Sequence, residues 1–521
     1  MFGHRENPGK MATPSWLVKS GDQSRNLAEL AVARMVPQAL LFDCDDGRRF
    51  TFGQFWDLAG KFANALHLSG AKSGDRIAVQ ISKSVEAIAL FWACARGGFV
   101  YLPMNTAYTA AEVRYFIEDA KPSVFVCRPE FAKLGFEIAC ILTVDDRGGG
   151  NLAEIADQQP RDFSDHASSW NDTVAILYTS GTTGRSKGAM LSHGNLASNA
   201  LALIDVWGFG PADRLIHALP VYHTHGLFTA TNVVMLSGGR MLFRRSFDAG
   251  DVLSLMSLAT TMMGVPTFYT RLLQSEQLSR EATAGMRLFI SGSAPLLAET
   301  HVEFERRTGH IILERYGMTE TSMITSNPLA GERKAGSVGL PLPSVDVRIT
   351  DLGNHAPVAR GAIGMIELKG PNLFKGYWQN PEKTAEDMTV EGYFRTGDVG
   401  SIDKDGYLTI SGRAKDLIIS GGFNVYPKEI ELLIDMVPGV AESAVIGLPH
   451  GDFGEAVTAV VVRVFGGSVA ADDILGALQA QLAKFKLPKQ IVFEESLPRN
   501  AMGKVQKAAL RERYKRLYLP V

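Results

Sequence analysis

Short apolar runs alternate with longer amphipathic stretches through the first half of the chain. Ile77–Val79, Val124–Val126, Val174–Leu177, Leu215–Leu219 and Leu288–Ile290 read as buried strands. Between them lie segments at helical spacing. In one of these, Leu196, Ala200, Leu203 and Ile204 share a face and Ser192 stands where it would cap the helix. Such alternation predicts parallel sheets with helices on their faces. From about Pro341 to Arg413 the texture changes. Short strands such as Ile363–Leu368 and Tyr407–Ile410 sit between Gly, Pro and Asp turns, which predicts a smaller β-rich subdomain. A new start follows Asp416, with a helix over Pro427–Met436, an apolar strand over Ala456–Val462 and a charged C-terminal stretch.

Composition narrows the class. At 521 residues the chain is too long for one ordinary core and should divide into at least two domains. It is 46% apolar and 21% charged with a net charge of -2, so neither a nucleic-acid surface nor a disordered acidic tail is indicated. Cys44, Cys94, Cys127 and Cys140 form no C-x-x-C pair, which predicts reduced thiols and a cytoplasmic protein. The longest apolar run, Ala87–Ala95, is far short of a membrane span. Met1–Arg5 lacks the apolar core of a secretory signal, and Glu6 and Asp22 are unlike an acid-poor organellar presequence.

The densest chemistry lies in Tyr178–Gly188, directly after the apolar run Val174–Leu177. Thr179, Ser180, Gly181, Thr182, Thr183, Gly184 and Lys187 combine hydroxyl donors, glycines that turn backbone N–H groups inward, and a mobile charge. That is a polyphosphate cradle, although Gly181, Gly184 and Lys187 are spaced by threes and miss the G-x-x-x-x-G-K-[ST] pattern. Read alone, such a loop also fits a plain turn. Tyr316-Gly-Met-Thr-Glu320 follows the apolar Ile311–Leu313 and offers a ring to stack a base, a hydroxyl for phosphate and a carboxylate for Mg²⁺. A strand end with a solvated Glu is the alternative. Asp398, in Arg395-Thr-Gly-Asp398, suits a ribose diol or a plain turn. Gly412–Gly422 reads as a polar hinge followed by a strand and a double glycine, and Pro498–Lys504 ends on a lysine in a turn.

Taken in order, these segments resemble the adenylate-forming superfamily of acyl-CoA synthetases, peptide-synthetase adenylation domains and luciferases. The resemblance runs from about residue 25 to residue 515. It implies an α/β fold: a large N-terminal domain of stacked α/β sheets with a small β-barrel-like subdomain (1–413), and a smaller, mobile α+β C-terminal domain (414–521). It also implies that Thr179–Lys187 binds the β- and γ-phosphates of ATP and that Tyr316 stacks on adenine. Thr319 would contact phosphate, Glu320 with Thr179 would hold Mg²⁺, and Asp398 with Arg413 would hold the ribose. Ser293, Ala294, Pro295, Glu314, Arg315 and Gly317 would complete the ATP site. Lys504 would be the catalytic lysine, Lys415 the hinge, and Gly421-Gly422 the lining of the coenzyme A tunnel. Acetylation of Lys504 by a lysine acetyltransferase, reversed by a deacetylase, would neutralise it.

Within the superfamily, Leu102–Tyr108, Ile216–Gly226, Val265–Leu272 and Gly421–Pro427 are similar to malonyl-CoA synthetases. That implies a ligase joining a small dicarboxylate to CoA, with AMP and pyrophosphate released; methylmalonate or a short monocarboxylate is the alternative acid. A dicarboxylate needs a cation facing its free carboxylate, because an unpaired charge in a closed pocket is strongly unfavourable. Arg271, in the otherwise apolar Phe268–Leu273, is the expected cation; an arginine snorkelling from an amphipathic helix is the alternative. His223 and His225 would form a second polar wall, and Ser291, Gly292, Gly317 and Met318 would line the rest. The chain runs only 17 residues beyond Lys504, so free CoA is the expected acceptor.

Overall fold

A computed structural model describes residues 24–179, 186–479, 481–500 and 504–518. The N-terminal residues read above for targeting lie outside that set. In chain order, the elements that position the site are α1 (Ala110–Ala120), β1 (Thr173–Thr179), β2 (Lys187–Ser192), α2 (Pro266–Leu273), β3 (Leu288–Ser291), β4 (Leu313–Met318), β5 (Phe394–Ile402) and β6 (Leu408–Arg413).

The expected strand–helix alternation builds two sheets. One has six strands in the spatial order Cys140–Thr143, Val124–Cys127, Arg76–Gln80, Val100–Pro103, β1 and β2; all neighbours are parallel except the β1–β2 hairpin. The other has nine strands, of which β4, β3, Thr261–Gly264, Arg214–His217, Arg240–Phe243 and Leu40–Cys44 form a parallel core with antiparallel strands at both edges. Strands buried on both faces read as continuous apolar runs, and Val124–Cys127 and Leu288–Ser291 are buried at every position. Helix Val85–Gly97, the longest apolar run in the sequence, is also buried at every residue. The helix foreseen after Ser192 is His193–Trp207, with a full capping box between Ser192 and Asn195.

The β-rich stretch forms a four-stranded antiparallel sheet, Asp346–Thr350, Gly364–Lys369, β5 and β6. A one-turn 3₁₀ segment, Ala414–Asp416, then leads into a five-stranded mixed sheet built from residues 418–494. That sheet has its own apolar cluster around Ile418, Ile430, Ile434, Val445 and Val457. No helix among the described residues is long and apolar enough to cross a membrane.

Two strands differ from expectation. The run at Leu215 ends at His217, because Pro220 and the one-turn π-helix His225–Ala230 take the chain away from the sheet. β4 begins at Leu313 and continues through Tyr316 and Gly317, since antiparallel pairing with Ser322–Ser326 extends it beyond its apolar start. In both cases the residues just beyond the apolar run decided where the strand ends.

Candidate active site

Parallel α/β sheets bind ligands outside the carboxyl ends of their strands. There the nine-stranded sheet presents Ser291-Gly292 after β3, Gly317-Met318 at the end of β4, and the His223–His225 turn beyond Arg214–His217. The antiparallel sheet adds Asp398 from β5 and Arg413 from β6, which are opposite one another in register. Arg413 Nε lies 2.8 Å from Asp398 Oδ1, while the Tyr316 hydroxyl donates to Asp398 Oδ2. The carboxylate is 4% exposed and accepts from both neighbours, and each oxygen keeps a second lone pair for a diol. Burial and the adjacent Asp398 push the Tyr316 phenol well above its usual range, so it stays a neutral donor.

Glu320 is buried with its Oε1 3.1 Å from the Tyr377 hydroxyl, and burial raises its pKa. The Lys187 ammonium lies 5.4 Å from the centre of that same Tyr377 ring. One tyrosine therefore touches both the expected metal ligand and the expected phosphate cation. Sequence reading missed Tyr377. It reaches the site only because Ala189 of β2 bridges to it, a pairing with no signal in spacing. Among the described residues no group of three or more His, Cys, Asp or Glu could cage a metal. A lone buried carboxylate fits Mg²⁺ delivered on phosphate oxygens, since that ion uses one or two carboxylates and keeps water. Thr179, the other expected ligand, has its Oγ1 3.5 Å from the Lys187 carbonyl. Ser180, Gly181, Thr182, Thr183 and Gly184 lie outside the described residues.

The acid pocket is lined with polar atoms that have no protein partner. His223 Nε2, His225 Nε2, Ser291 Oγ and both Nε and Nη2 of Arg315 are buried and unbonded. Burial lowers His223 to about 4 and takes His225 well below its ordinary value, so both rings are neutral at pH 7. His225 Nδ1 lies 3.2 Å from the Ser293 hydroxyl, whose residue is held at φ 74°, a conformation costly for a side chain other than Gly. Arg315, expected among the ATP contacts, lies beneath Gly292. A Cβ on Gly292 would come within 2.5 Å of the guanidinium carbon. It is 3% exposed and has no carboxylate beside it; burial lowers its pKa to about 9, still charged at neutral pH. Tyr269, from α2, is close enough to act on that charge. Arg271 on the same helix is exposed. A small cleft of about 20 Å³ opens beside His223 and Thr319, walled by Met104, Asn105, Tyr108, Phe116 and Tyr222.

Glu314 is buried 3.7 Å from His301 Nδ1, on the neighbouring helix. Ala294 and Pro295 follow Ser293 at the crevice edge. Lys504 sits in a turn closed by Asn500 Oδ1, 3.0 Å from the Lys504 amide, and ion pairs of Arg499 with Glu442 and Lys507 with Glu431 flank it. Its side chain is exposed to solvent, yet surrounding protein is dense enough to lower its pKa to about 8. Burial contributes most and Arg413 next. Lys504 thus lies within electrostatic reach of the Asp398–Arg413 pair. Lys415, in the 3₁₀ turn, is also lowered by burial. Gly421 and Gly422 form a two-residue hairpin turn with φ of 60° and 82°, a left-handed pair that glycine adopts freely. They stand exposed on the C-terminal domain.

The sequence matches the AMP-binding enzyme family over residues 30–378 and the AMP-binding enzyme C-terminal domain over residues 429–504. The chain belongs to the AMP-binding enzyme family. Within it, the chain is 54% identical to ATP-bound MatB from Rhodopseudomonas palustris, covering 95% of this chain and 99% of that one with a TM-score of 0.92. Against the apo form of MatB the identity is the same and the TM-score 0.82. The malonate–CoA ligase of Arabidopsis thaliana is 34% identical over 522 residues, covering 90% of this chain and 85% of the relative. The feruloyl-CoA synthase of an Amycolatopsis species is also 34% identical, over 488 residues, covering 92% and 97%.

Two outcomes follow from the geometry. In the ligand-free protein, amine-directed labelling of Lys504, followed by peptide mass spectrometry against pH, should reach half its maximum near pH 8 rather than near the ordinary 10.5. The sign is that of a lowered lysine: charged and unreactive below pH 8, neutral and reactive above it. Gly317→Ala should lower both the unfolding temperature and ATP binding, because its Cβ would lie 2.0 Å from the Ser322 carbonyl oxygen. Differential scanning calorimetry and nucleotide titration read the two effects.

Proposed function

We propose that the protein is an AMP-forming malonate–CoA ligase, converting malonate, ATP and CoA to malonyl-CoA, AMP and pyrophosphate through an acyl-adenylate. The observation that carries the acid's identity is Arg315, a buried cation without an anion, facing the same layer as Ser291 and His225. The two 34% relatives alone do not separate malonate from ferulate, so the pocket chemistry bears on the choice. A feruloyl or fatty acyl chain would leave Arg315 unpaired in an apolar environment, whereas a second carboxylate completes it. In this reading Arg315 meets the distal carboxylate from the floor, and Arg271 is the second arginine on the α2 side. The similarity to malonate–CoA ligases of Arabidopsis and mouse supports the same acid.

The proximal carboxylate attacks the α-phosphorus of ATP in line, and the bond from that phosphorus to the leaving pyrophosphate breaks. All reacting groups are anionic, so the reaction needs positive charge that is already in position. Lys504 supplies it between carboxylate and α-phosphate, and Lys187 supplies it at the leaving group. Mg²⁺ held by Glu320 and Thr179 would further neutralise the phosphates. Tyr316 stacks on adenine, while Asp398 and Arg413 hold the ribose. The CoA thiol then attacks the acyl carbonyl and AMP leaves. Lys504 occupies the thiol's path, so the C-terminal domain (414–521) turns about Lys415, withdrawing Lys504 and presenting Gly421-Gly422. A lysine acetyltransferase acting on Lys504, opposed by a deacetylase, would stop only the first reaction. The unpaired cysteines support a reducing compartment, the cytoplasm.

Mass spectrometry of a reaction containing malonate, ATP and CoA should show malonyl-CoA and AMP. A preference for acetate or butyrate over malonate and methylmalonate would overturn the reading. Arg315→Met should cost about a hundredfold in kcat/KM with malonate and much less with propionate, as expected for losing the partner of a buried charge. Arg271→Ala, measured alongside, apportions the two arginines. Lys504→Ala should abolish malonate-dependent ATP–pyrophosphate exchange while leaving thiolation of a supplied acyl-adenylate intact.

A further inference from the structure

The β1–β2 hairpin holds the residues on either side of the phosphate loop, and its last paired residues are Thr179 and Lys187. Among the described residues the ladder ends at that pair, and further contacts meet the chain on either side of it. They come from α1. The Tyr178 hydroxyl donates to the Asp119 carboxylate at the departing end. At the returning end the Tyr115 hydroxyl donates to the Ser186 carbonyl at 2.8 Å. The Tyr178 ring packs on Phe116 at 4.6 Å and stands edge-on to Tyr115 at 6.3 Å. Three residues within about one helical turn, Tyr115, Phe116 and Asp119, thus grip both ends.

The grip continues to the metal side of the site. Trp378 Nε1 donates to the Asp119 carbonyl at 3.3 Å, and the Trp378 amide donates to the Gly188 carbonyl at 2.7 Å. Tyr377, next in the chain, carries the Glu320 hydrogen bond and underlies Lys187. The helix itself is fixed at both termini. Thr109 and Glu112 form a capping box at its start, and Arg76 donates to the Ala120 and Lys121 carbonyls at its end. Contacts already fixed in the ligand-free protein lower the entropic cost of binding, and these fix Tyr178 and Ser186.

We infer that Tyr115 and Asp119 are positioning residues for adenylation: through Ser186 and Tyr178 they set Lys187 at the distance from Glu320 that a bound pyrophosphate group requires. The inference rests on reading residues 179–187 as the pyrophosphate grip. It assigns α1 to the first half-reaction alone, because the second half-reaction takes place after pyrophosphate has left.

The test uses the full-length enzyme and both half-reactions. Tyr115→Phe removes one hydrogen bond and should raise KM for ATP in malonate-dependent ATP–pyrophosphate exchange roughly fivefold. Combined with Asp119→Ala it should cost at least about thirtyfold in kcat/KM for ATP. Asp119→Asn, which keeps an acceptor for Tyr178, should restore most of the loss. Thiolation of a supplied acyl-adenylate by CoA should stay within about twofold of wild type in every variant, which a general loss of folding would not allow. Parallel loss of both half-reactions overturns the assignment, as does unchanged exchange in the double variant while Lys187→Ala has lost it. If Lys187→Ala also keeps full exchange, the reading of the loop itself fails and the role of α1 goes with it.

Discussion

Two sheets meet at one carboxylate. Asp398 belongs to the antiparallel sheet, accepts from Tyr316 of the nine-stranded sheet, and pairs with Arg413, two residues before Lys415. A buried carboxylate that lost these partners would be costly, so each element is held where its donor can reach. The end of β4, the end of β6 and the start of the C-terminal domain are therefore located relative to one atom group. Lys504 answers to the same cluster, its charge disfavoured by Arg413 and favoured by Asp398. Whatever binds between Tyr316 and Lys504 is bound against a framework set by Asp398.

Charge is distributed over the crevice in a way that suits anions at both ends. On the nucleotide side, Lys187 and Lys504 are cations and Glu320 is a carboxylate whose burial makes its ionised form costly until a cation arrives. On the acid side, two histidines are neutral and the single buried cation is Arg315 among the described acid-pocket residues. Unbonded donors at Ser291 and Arg315 are unstable on their own, and a carboxylate satisfies several at once. The ligand-free pocket already has the polarity of its proposed guest.

The relative placement of the domains fits one stage of catalysis. At equal sequence identity the chain superimposes better on ATP-bound than on apo MatB, with TM-scores of 0.92 and 0.82. In this arrangement Lys504 lies within electrostatic reach of the Asp398–Arg413 pair while Gly421-Gly422 remain exposed. Ion pairs of Arg499 with Glu442 and Lys507 with Glu431 bind the lysine turn to the C-terminal sheet, so Lys504 moves only when that whole domain does. Asp416 pairs with Arg511 at the turn itself. In the proposed reaction one reacting group replaces another through a turn of the C-terminal domain, and the link available for it is a single 3₁₀ turn.

Local sequence was enough to determine the strand runs, the capped helix after Ser192, the change of texture near Pro341, and the nucleotide motifs, because apolar periodicity and short Gly, Ser and Thr patterns are local properties of the chain. It also indicated that a cation should stand in the acid pocket. For that cation it offered Arg271. Arg271 stood out against apolar neighbours in a linear reading, yet it is exposed, while Arg315, embedded in a nucleotide motif, is the one buried under Gly292. Burial depends on which strand lies beside which, and β3 meets β4 only in the folded sheet. Tyr377, Tyr115 and Asp119 had no signal for the same reason: their partners are far away in the chain, and only tertiary packing brings a hydroxyl to Glu320 or a helix to the ends of the phosphate loop.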